Sequence, residues 1–343
     1  MHLNSLKYRN KFYSLYRFKK IGICLSFCFL LSNCSLVPST KIEILDGKWA
    51  VNGELTNKDS KAEGLLMNAR MVNATFEDLV NPDFNPRENA LKFKEQIHIY
   101  KEAGLNAFTL NLQGGMPGYE GAINSAFTPN GKLKNKYLHR LSDIIRICDV
   151  QGMIVILGCF YQRQDQILRD NTAVFQAVKN TVTWLKQQQF KNVLFEIANE
   201  YPHKGYDHEV IRNEDTLIEM IDLARSIYPE LLISVSGFGN GSVSPKIAEE
   251  CDFLLIHLNQ TPIQKYKSVF EQLMYFHKPI VCNEDDKIGE AGVSALEASV
   301  NNNCSWGYMN KELNQHVPIE FLGVEDDTLV YAKIKEITSP IKK

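Results

Sequence analysis

Apolar residues in this chain gather into short blocks separated by longer amphipathic stretches. The blocks lie at 64–72, 105–112, 153–160, 193–199, 231–236, 253–258, 279–283 and 304–309. Each is a nearly continuous apolar run bounded by polar residues, the form of a strand buried on both faces. Between them the apolar positions take helical spacing, as Val174, Val178, Val182 and Leu185 do within 172–189. Other helices are expected at 87–103, 135–151, 213–227, 262–277, 289–301 and 325–338, with a short one near 244–250. Asn85-Pro86 before and Gly104 after the first of these are a start and a stop signal, and Gly152 ends the second. Upstream, Lys41–Leu45 and Lys48–Val51 are two strand-like pieces joined by Asp46-Gly47, a hairpin signal. Such a hairpin would close the bottom of a barrel.

Eight strands alternating with helices predict an α/β chain folded as a (β/α)8 barrel. A doubly wound open sheet is the rival, but no Gly-x-Gly-x-x-Gly follows the first strand. No internal repeat, low-complexity run or linker divides the chain, so residues 42–343 are expected to form one domain.

Composition and charge change the picture at the N-terminus. The 343 residues, 44% hydrophobic and 23% charged, suffice for a large core. The net charge of -2 hides an asymmetry: residues 1–33 carry six basic and no acidic residues, and removing them leaves -8. A mildly acidic body argues against nucleic acid as a partner. The basic start is followed by an apolar run, Ile21 to Leu31, too short to span a bilayer and suited to a signal peptide over 1–33. The run ends Leu31-Ser32-Asn33-Cys34, which resembles a bacterial lipobox. That resemblance implies lipidation at Cys34, a tether over 34–41, and a membrane-anchored place in the cell envelope, at the outer membrane or cell surface. An ordinary signal peptide or an uncleaved anchor is the alternative. Cys148, Cys159, Cys251, Cys282 and Cys304 sit in apolar contexts without Cys-x-x-Cys spacing, so they are expected to be small buried hydrophobes.

The chemistry gathers at the strand ends. The first strand carries Arg70, the second ends at Asn111, and the third runs into Tyr161-Gln162. The fourth ends Asn199-Glu200, the sixth His257-Leu258-Asn259, the seventh Asn283-Glu284, and the eighth holds Trp306. In α/β barrels the C-terminal rim of the strands is where chemistry sits. Two glutamates at the ends of two buried strands are the pair that acetal cleavage requires: a proton for the leaving oxygen and a negative charge beside the developing cation. Glu196, four residues before Glu200, falls on the same strand face and is expected to be a buried structural carboxylate. His203, Asp207, His208 and Glu209 lack metal-ligand spacing and are expected to form a solvated loop. No metal or cofactor is called for.

The order of elements and these tip residues resemble a clan A glycoside hydrolase, most closely the cellulase-type family 5 group, over about residues 42–340. The resemblance implies a retaining enzyme acting on a β-linked oligo- or polysaccharide. It implies an acid/base glutamate at Glu200 after Asn199, and a nucleophile at Glu284. A raised pKa is expected for Glu200. Arg70 beside Glu284 would favour its ionised form. Asn199 suits the sugar 2-hydroxyl, Trp306 a stacking platform, His257 and Tyr161 the nucleophile or a hydroxyl, and Asn111 the substrate. Two departures stand out: Asn-Glu is followed by Tyr201-Pro202, and Glu284 by Asp285-Asp286. A non-catalytic sugar-binding lipoprotein and a transglycosylase on the same barrel are the competing functions.

Overall fold

The computed structural model describes residues 39–341. The expected signal peptide, Cys34 and most of the expected tether lie outside the described residues. Eight parallel strands form the barrel: β1 Met67–Arg70, β2 Ala107–Asn111, β3 Ile154–Phe160, β4 Val193–Ala198, β5 Leu232–Ser234, β6 Leu254–His257, β7 Ile280–Glu284 and β8 Cys304–Tyr308. Hydrogen bonding runs unbroken from β5 through β4, β3, β2, β1, β8 and β7 to β6. A parallel bridge between Ser236 and Leu255 spans the remaining seam. Each strand is followed by a helix: α1 Pro86–Glu102, α2 Asn135–Val150, α3 Asn171–Gln188, α4 Glu214–Ile227, α5 Pro245–Glu250, α6 Tyr266–Leu273, α7 Gly289–Val300 and α8 Thr328–Thr338. This is the expected (β/α)8 barrel.

Four of these eight helix starts are capped by a side chain. The Asn85 side chain caps α1 by accepting from the N–H groups of Arg87 and Glu88. Asp170, Asn213 and Asp327 do the same for α3, α4 and α8. A cap of this kind satisfies donors that have no partner in the first turn. Gly104, at φ +95°, turns the chain out of α1, a conformation that costs glycine little.

Two apolar layers hold the barrel. The outer one lies between strands and helices. The inner one fills the lower barrel with Leu66, Ala107, Ile154, Ile156, Leu194, Leu255 and Val281. Higher up, the same interior face carries Asn68, Arg70, Asn111, Glu196, Ser234 and His257, all buried. The strands thus alternate inward and outward while their interior face turns from apolar to polar along its length.

The expected hairpin closes the bottom. Ile42–Leu45 pairs antiparallel with Lys48–Val51, turning on Asp46 and Gly47, both at positive φ. Trp49 enters the inner layer fully buried and meets the Phe253 ring edge-on at 5.4 Å. Thr40, expected in the tether, is already docked. Its N–H donates to Asp149 Oδ1 at 2.6 Å and its hydroxyl to the Asp149 carbonyl. No helix among the described residues is long and apolar enough to cross a membrane.

Trp49→Ala should cost about 3–5 kcal/mol, the usual penalty for emptying a large aromatic site, read by urea denaturation. A loss under ~0.5 kcal/mol, typical of a surface substitution, would show that the hairpin merely covers the barrel.

Candidate active site

The polar upper interior converges on a ring of side chains contributed by five strands. At the end of β1, the fully buried Arg70 guanidinium sends Nη2 to Glu284 Oε2 at 2.9 Å and to Asn199 Oδ1 at 2.8 Å. Asn199, just past β4, donates from Nδ2 to Gln162 Oε1 at 3.0 Å. Gln162, past β3, donates to Glu200 Oε2 at 3.2 Å. His257, ending β6, closes the circuit. Its Nδ1 lies 3.4 Å from Glu200 Oε1 and 3.5 Å from Glu284 Oε2. Asn259, two residues beyond His257, donates to Glu284 Oε1 at 2.6 Å. One oxygen of each glutamate and one imidazole nitrogen lie within 4.8 Å of one another.

Glu200 reaches this position through unusual backbone. Its φ is +47°, the left-handed region that costs an ordinary residue about 1–2 kcal/mol. Its N–H donates to Ser236 Oγ at 2.9 Å, and the Ser236 hydroxyl donates to Glu196 Oε1 at 2.5 Å. Glu196 is fully buried, which accords with a structural role. Burial pushes its carboxyl up, against the opposing pull of His257, Arg70 and Ser236.

The electrostatics differ from the expectation for Glu200. Burial pushes its carboxyl up, but the hydrogen bond and charge of His257, with Arg70 and His203, outweigh burial and leave it below the ordinary value. His257 moves the other way. Burial lowers it, yet Glu284 and Glu200 together raise it above its ordinary value. The expected raised pKa of Glu200 is therefore not found: the neighbouring imidazole favours the ionised carboxylate. Glu200, His257 and Glu284 also have the spacing of a metal site. Arg70 already pairs with Glu284, and the shift of His257 toward its charged form opposes a cation at the same place.

Arg70, Asn199, Glu200, His257 and Glu284 are thus brought together as expected. Tyr161 joins them: burial and the charges of Glu284 and Glu200 push its phenol up, against Arg70. Asn111 is not hydrogen-bonded to either glutamate. It pairs in register with Gly158, its amide lies against that residue, and both its polar atoms lack a partner.

Trp306 does not fit the platform role. It is fully buried in the outer layer and donates from Nε1 to Asp285 Oδ2 at 2.9 Å. The neighbouring Gly307 is the inward position of β8, where a Cβ would stand 2.6 Å from Asn68 Oδ1 and 2.7 Å from Asn283 Cα. Period-two alternation then sends Trp306 outward. Asp285 turns outward too, bound to Trp306, to the Tyr266 hydroxyl and to Lys287; of the carboxylates at 284–286, Glu284 is the one in the ring. His208, expected in a solvated loop, is instead clasped to the buried Asp165 at 2.8 Å.

Gln162 and Asn259, named at strand ends but given no role, and Ser236 are the members not expected in the site. Asn259 and Ser236 were open to detection, because each stands two positions beyond an inward residue, His257 or Ser234, on the same alternating face. For Gln162 the signal was only its place as a polar residue just past the third strand. Beside Glu200, the half-buried rings of His203 and Phe238 meet at 6.4 Å and supply an aromatic wall that Trp306 does not.

A (β/α)8 barrel with paired carboxylates at the ends of its fourth and seventh strands has the architecture of a clan A glycoside hydrolase. The profile of the family described as Cellulase (glycosyl hydrolase family 5) matches residues 70–313. The chain belongs to that family and is a retaining glycoside hydrolase. Several solved structures share the fold. A GH5-4 broad specificity endoglucanase from Clostridium longisporum superposes with a TM-score of 0.56 at 11% identity, over 82% of this chain and 97% of that one. An endo-1,4-beta-mannanase from Eisenia fetida gives 0.59 at 10% identity, over 87% and 95%. ZgEngAGH5_4, solved in complex with a cellotriose, gives 0.52 at 15% identity, over 82% and 98%. At such identities the likeness speaks for the fold alone. No curated protein sequence matches the chain.

The two pKa shifts make a pH prediction. The contribution of His257 to stability is complete below about pH 6.5, its unfolded value, and fades as pH rises through the higher folded value. That of Glu200 is complete above about pH 4.3 and is lost as pH falls through its lowered folded value. His257→Asn should therefore destabilise the protein more at about pH 6 than at about pH 9 by urea denaturation. An equal loss at both would show that no imidazolium forms.

Proposed function

We propose that the protein cleaves a β-linked polysaccharide by double displacement, with Glu284 as nucleophile and Glu200 as acid/base. The observation that carries this is the approach of the two carboxylates to within 4.8 Å, with Arg70 on one and His257 between them. Retaining enzymes set their carboxyl groups about 5–5.5 Å apart, so that one attacks the anomeric carbon directly. Arg70 and Asn259 orient Glu284 for attack. Asn199, held between Arg70 and Gln162, presents an amide toward the sugar 2-hydroxyl.

His257, raised above its ordinary value by Glu284 and Glu200, lies within 3.4 Å of Glu200 and is placed to pass it a proton. As a sugar enters and excludes water, the proton passes to Glu200, which donates it to the glycosidic oxygen and then serves as base for the incoming water. The wall of His203 and Phe238 lies on the acid/base side, where the departing sugar sits. The endoglucanase and mannanase relatives, and the cellotriose bound to another, support a β-1,4-linked glucan or mannan as the substrate class.

Glu200→Gln should lower turnover of glycosides with poor leaving groups by about 10²–10⁴-fold, the usual share of general acid–base catalysis. Glu284→Ala should lose the covalent route. Azide should give the β-glycosyl azide with Glu200→Ala and the α-glycosyl azide with Glu284→Ala. Unchanged turnover on aryl β-cellobioside or β-mannobioside in both glutamate variants would remove the assignment.

The lipobox-like Leu31-Ser32-Asn33-Cys34 supports attachment of the enzyme to a bacterial membrane through a lipid on Cys34. Processing should be blocked by globomycin, and radiolabelled fatty acid should be incorporated in the wild type but not in Cys34→Ser. Labelling that survives this substitution would refute the anchor.

A further inference from the structure

We propose that Ser236 is a positioning residue that sets the working geometry of Glu200, and that the buried carboxyl of Glu196 fixes Ser236 in turn. The proposal rests on the acid/base reading of Glu200. Three contacts from Ser236 bracket the left-handed residue. Its N–H donates to the carbonyl of Ala198 at 3.2 Å, its carbonyl accepts from the N–H of Tyr201 at 3.0 Å, and its hydroxyl oxygen accepts from the N–H of Glu200 at 2.9 Å. The chain is therefore held before, at and after the turn that swings Glu200 over the mouth. Without these contacts a glutamate at φ +47° would relax toward the right-handed or extended region.

The hydroxyl has a single hydrogen. For its lone pair to face the Glu200 N–H, that hydrogen must be directed elsewhere. Glu196 Oε1 receives it at 2.5 Å. Glu196 lies four residues earlier on the strand that ends in Glu200, so one strand supplies both the proposed acid/base and the group that orders its support. Ser236 also bridges to Leu255 across the barrel seam. That places it between β4, which leads to Glu200, and β6, which carries His257. A shift at Ser236 would alter the approach of Glu200 to His257 and to the leaving oxygen, while leaving Arg70, Asn259 and Glu284 in place.

This location predicts a selective defect. Departure of 2,4-dinitrophenolate needs no proton, whereas departure of phenolate does. The probes are the 2,4-dinitrophenyl and phenyl β-cellobiosides or β-mannobiosides, whichever pair the wild type cleaves. Ser236→Ala should lower kcat/KM on the phenyl glycoside by about 10–100-fold, a part of what acid catalysis supplies. Its loss on the dinitrophenyl glycoside should be several times smaller. Glu196→Leu should reproduce this split, and Glu196→Gln, which retains an acceptor oxygen, should largely restore the wild-type pattern. Equal losses on both probes would reduce Ser236 to a general structural role and overturn the proposal.

Amide hydrogen exchange supplies a readout independent of turnover, including on the wild type should a variant fail to fold. The Glu200 N–H should be protected in the wild type to the degree of neighbouring strand amides and should lose that protection in Ser236→Ala. A Glu200 amide already unprotected in the wild type would overturn the proposal. The two readings fail separately. Normal turnover in Glu200→Gln removes the acid/base assignment, while loss of turnover there combined with an unsplit Ser236→Ala removes only the present inference.

Discussion

The burial of Arg70 is the constraint on which the mouth of this barrel depends. A guanidinium cannot give up its charge to suit an apolar setting, so it must be met by carboxylate and amide oxygens where it lies. Nη2 faces both Glu284 and Asn199, and each of those leads onward, through His257 or Gln162, to Glu200. The circuit from strand to strand starts at the one nitrogen of this buried cation, Nη2, that meets both partners. Removing any member would leave charge or donors stranded in an interior that offers few substitutes.

Charge balance follows from the same arrangement. Two carboxylates face a guanidinium and an imidazole, while Glu196 below them is pushed toward neutrality by burial. The imidazole responds most readily, since its ordinary value lies nearest to neutral pH. Its position between the glutamates couples their protonation, so the proton belongs to the group rather than to any one residue. In the proposed mechanism Glu200 therefore need not hold its proton before the substrate arrives.

The barrel was legible in the chain because its strands are continuous apolar runs and several of its helices are capped by Asn or Asp or stopped by Gly. The catalytic candidates were legible where a polar side chain ended such a run, as Arg70, Glu200, His257 and Glu284 do. Trp306 shows where that reading fails. Shifting a strand assignment by one position moves every side chain to the other face, and the deciding residue is Gly307, whose missing side chain makes room for Asn68 and Asn283. Ser236 could be placed on the inward face from Ser234, but its importance comes from a backbone angle at Glu200, which no residue type announces. The lowered pKa of Glu200 depends on a histidine 57 positions away in sequence, a proximity that only the folded chain creates.

The hairpin beneath the barrel has a mechanical consequence. The chain enters the described fold at the end opposite the mouth, where Thr40 grips Asp149, Ile42 donates to the Lys191 carbonyl and Trp49 is wedged into the inner layer. Tension applied from upstream would first load these bonds and the apolar plug. The ring around Arg70 lies at the far end of the strands, out of that load path. A catalyst hung by this end could be tugged and swung by its surroundings while the gap between its carboxylates stayed constant.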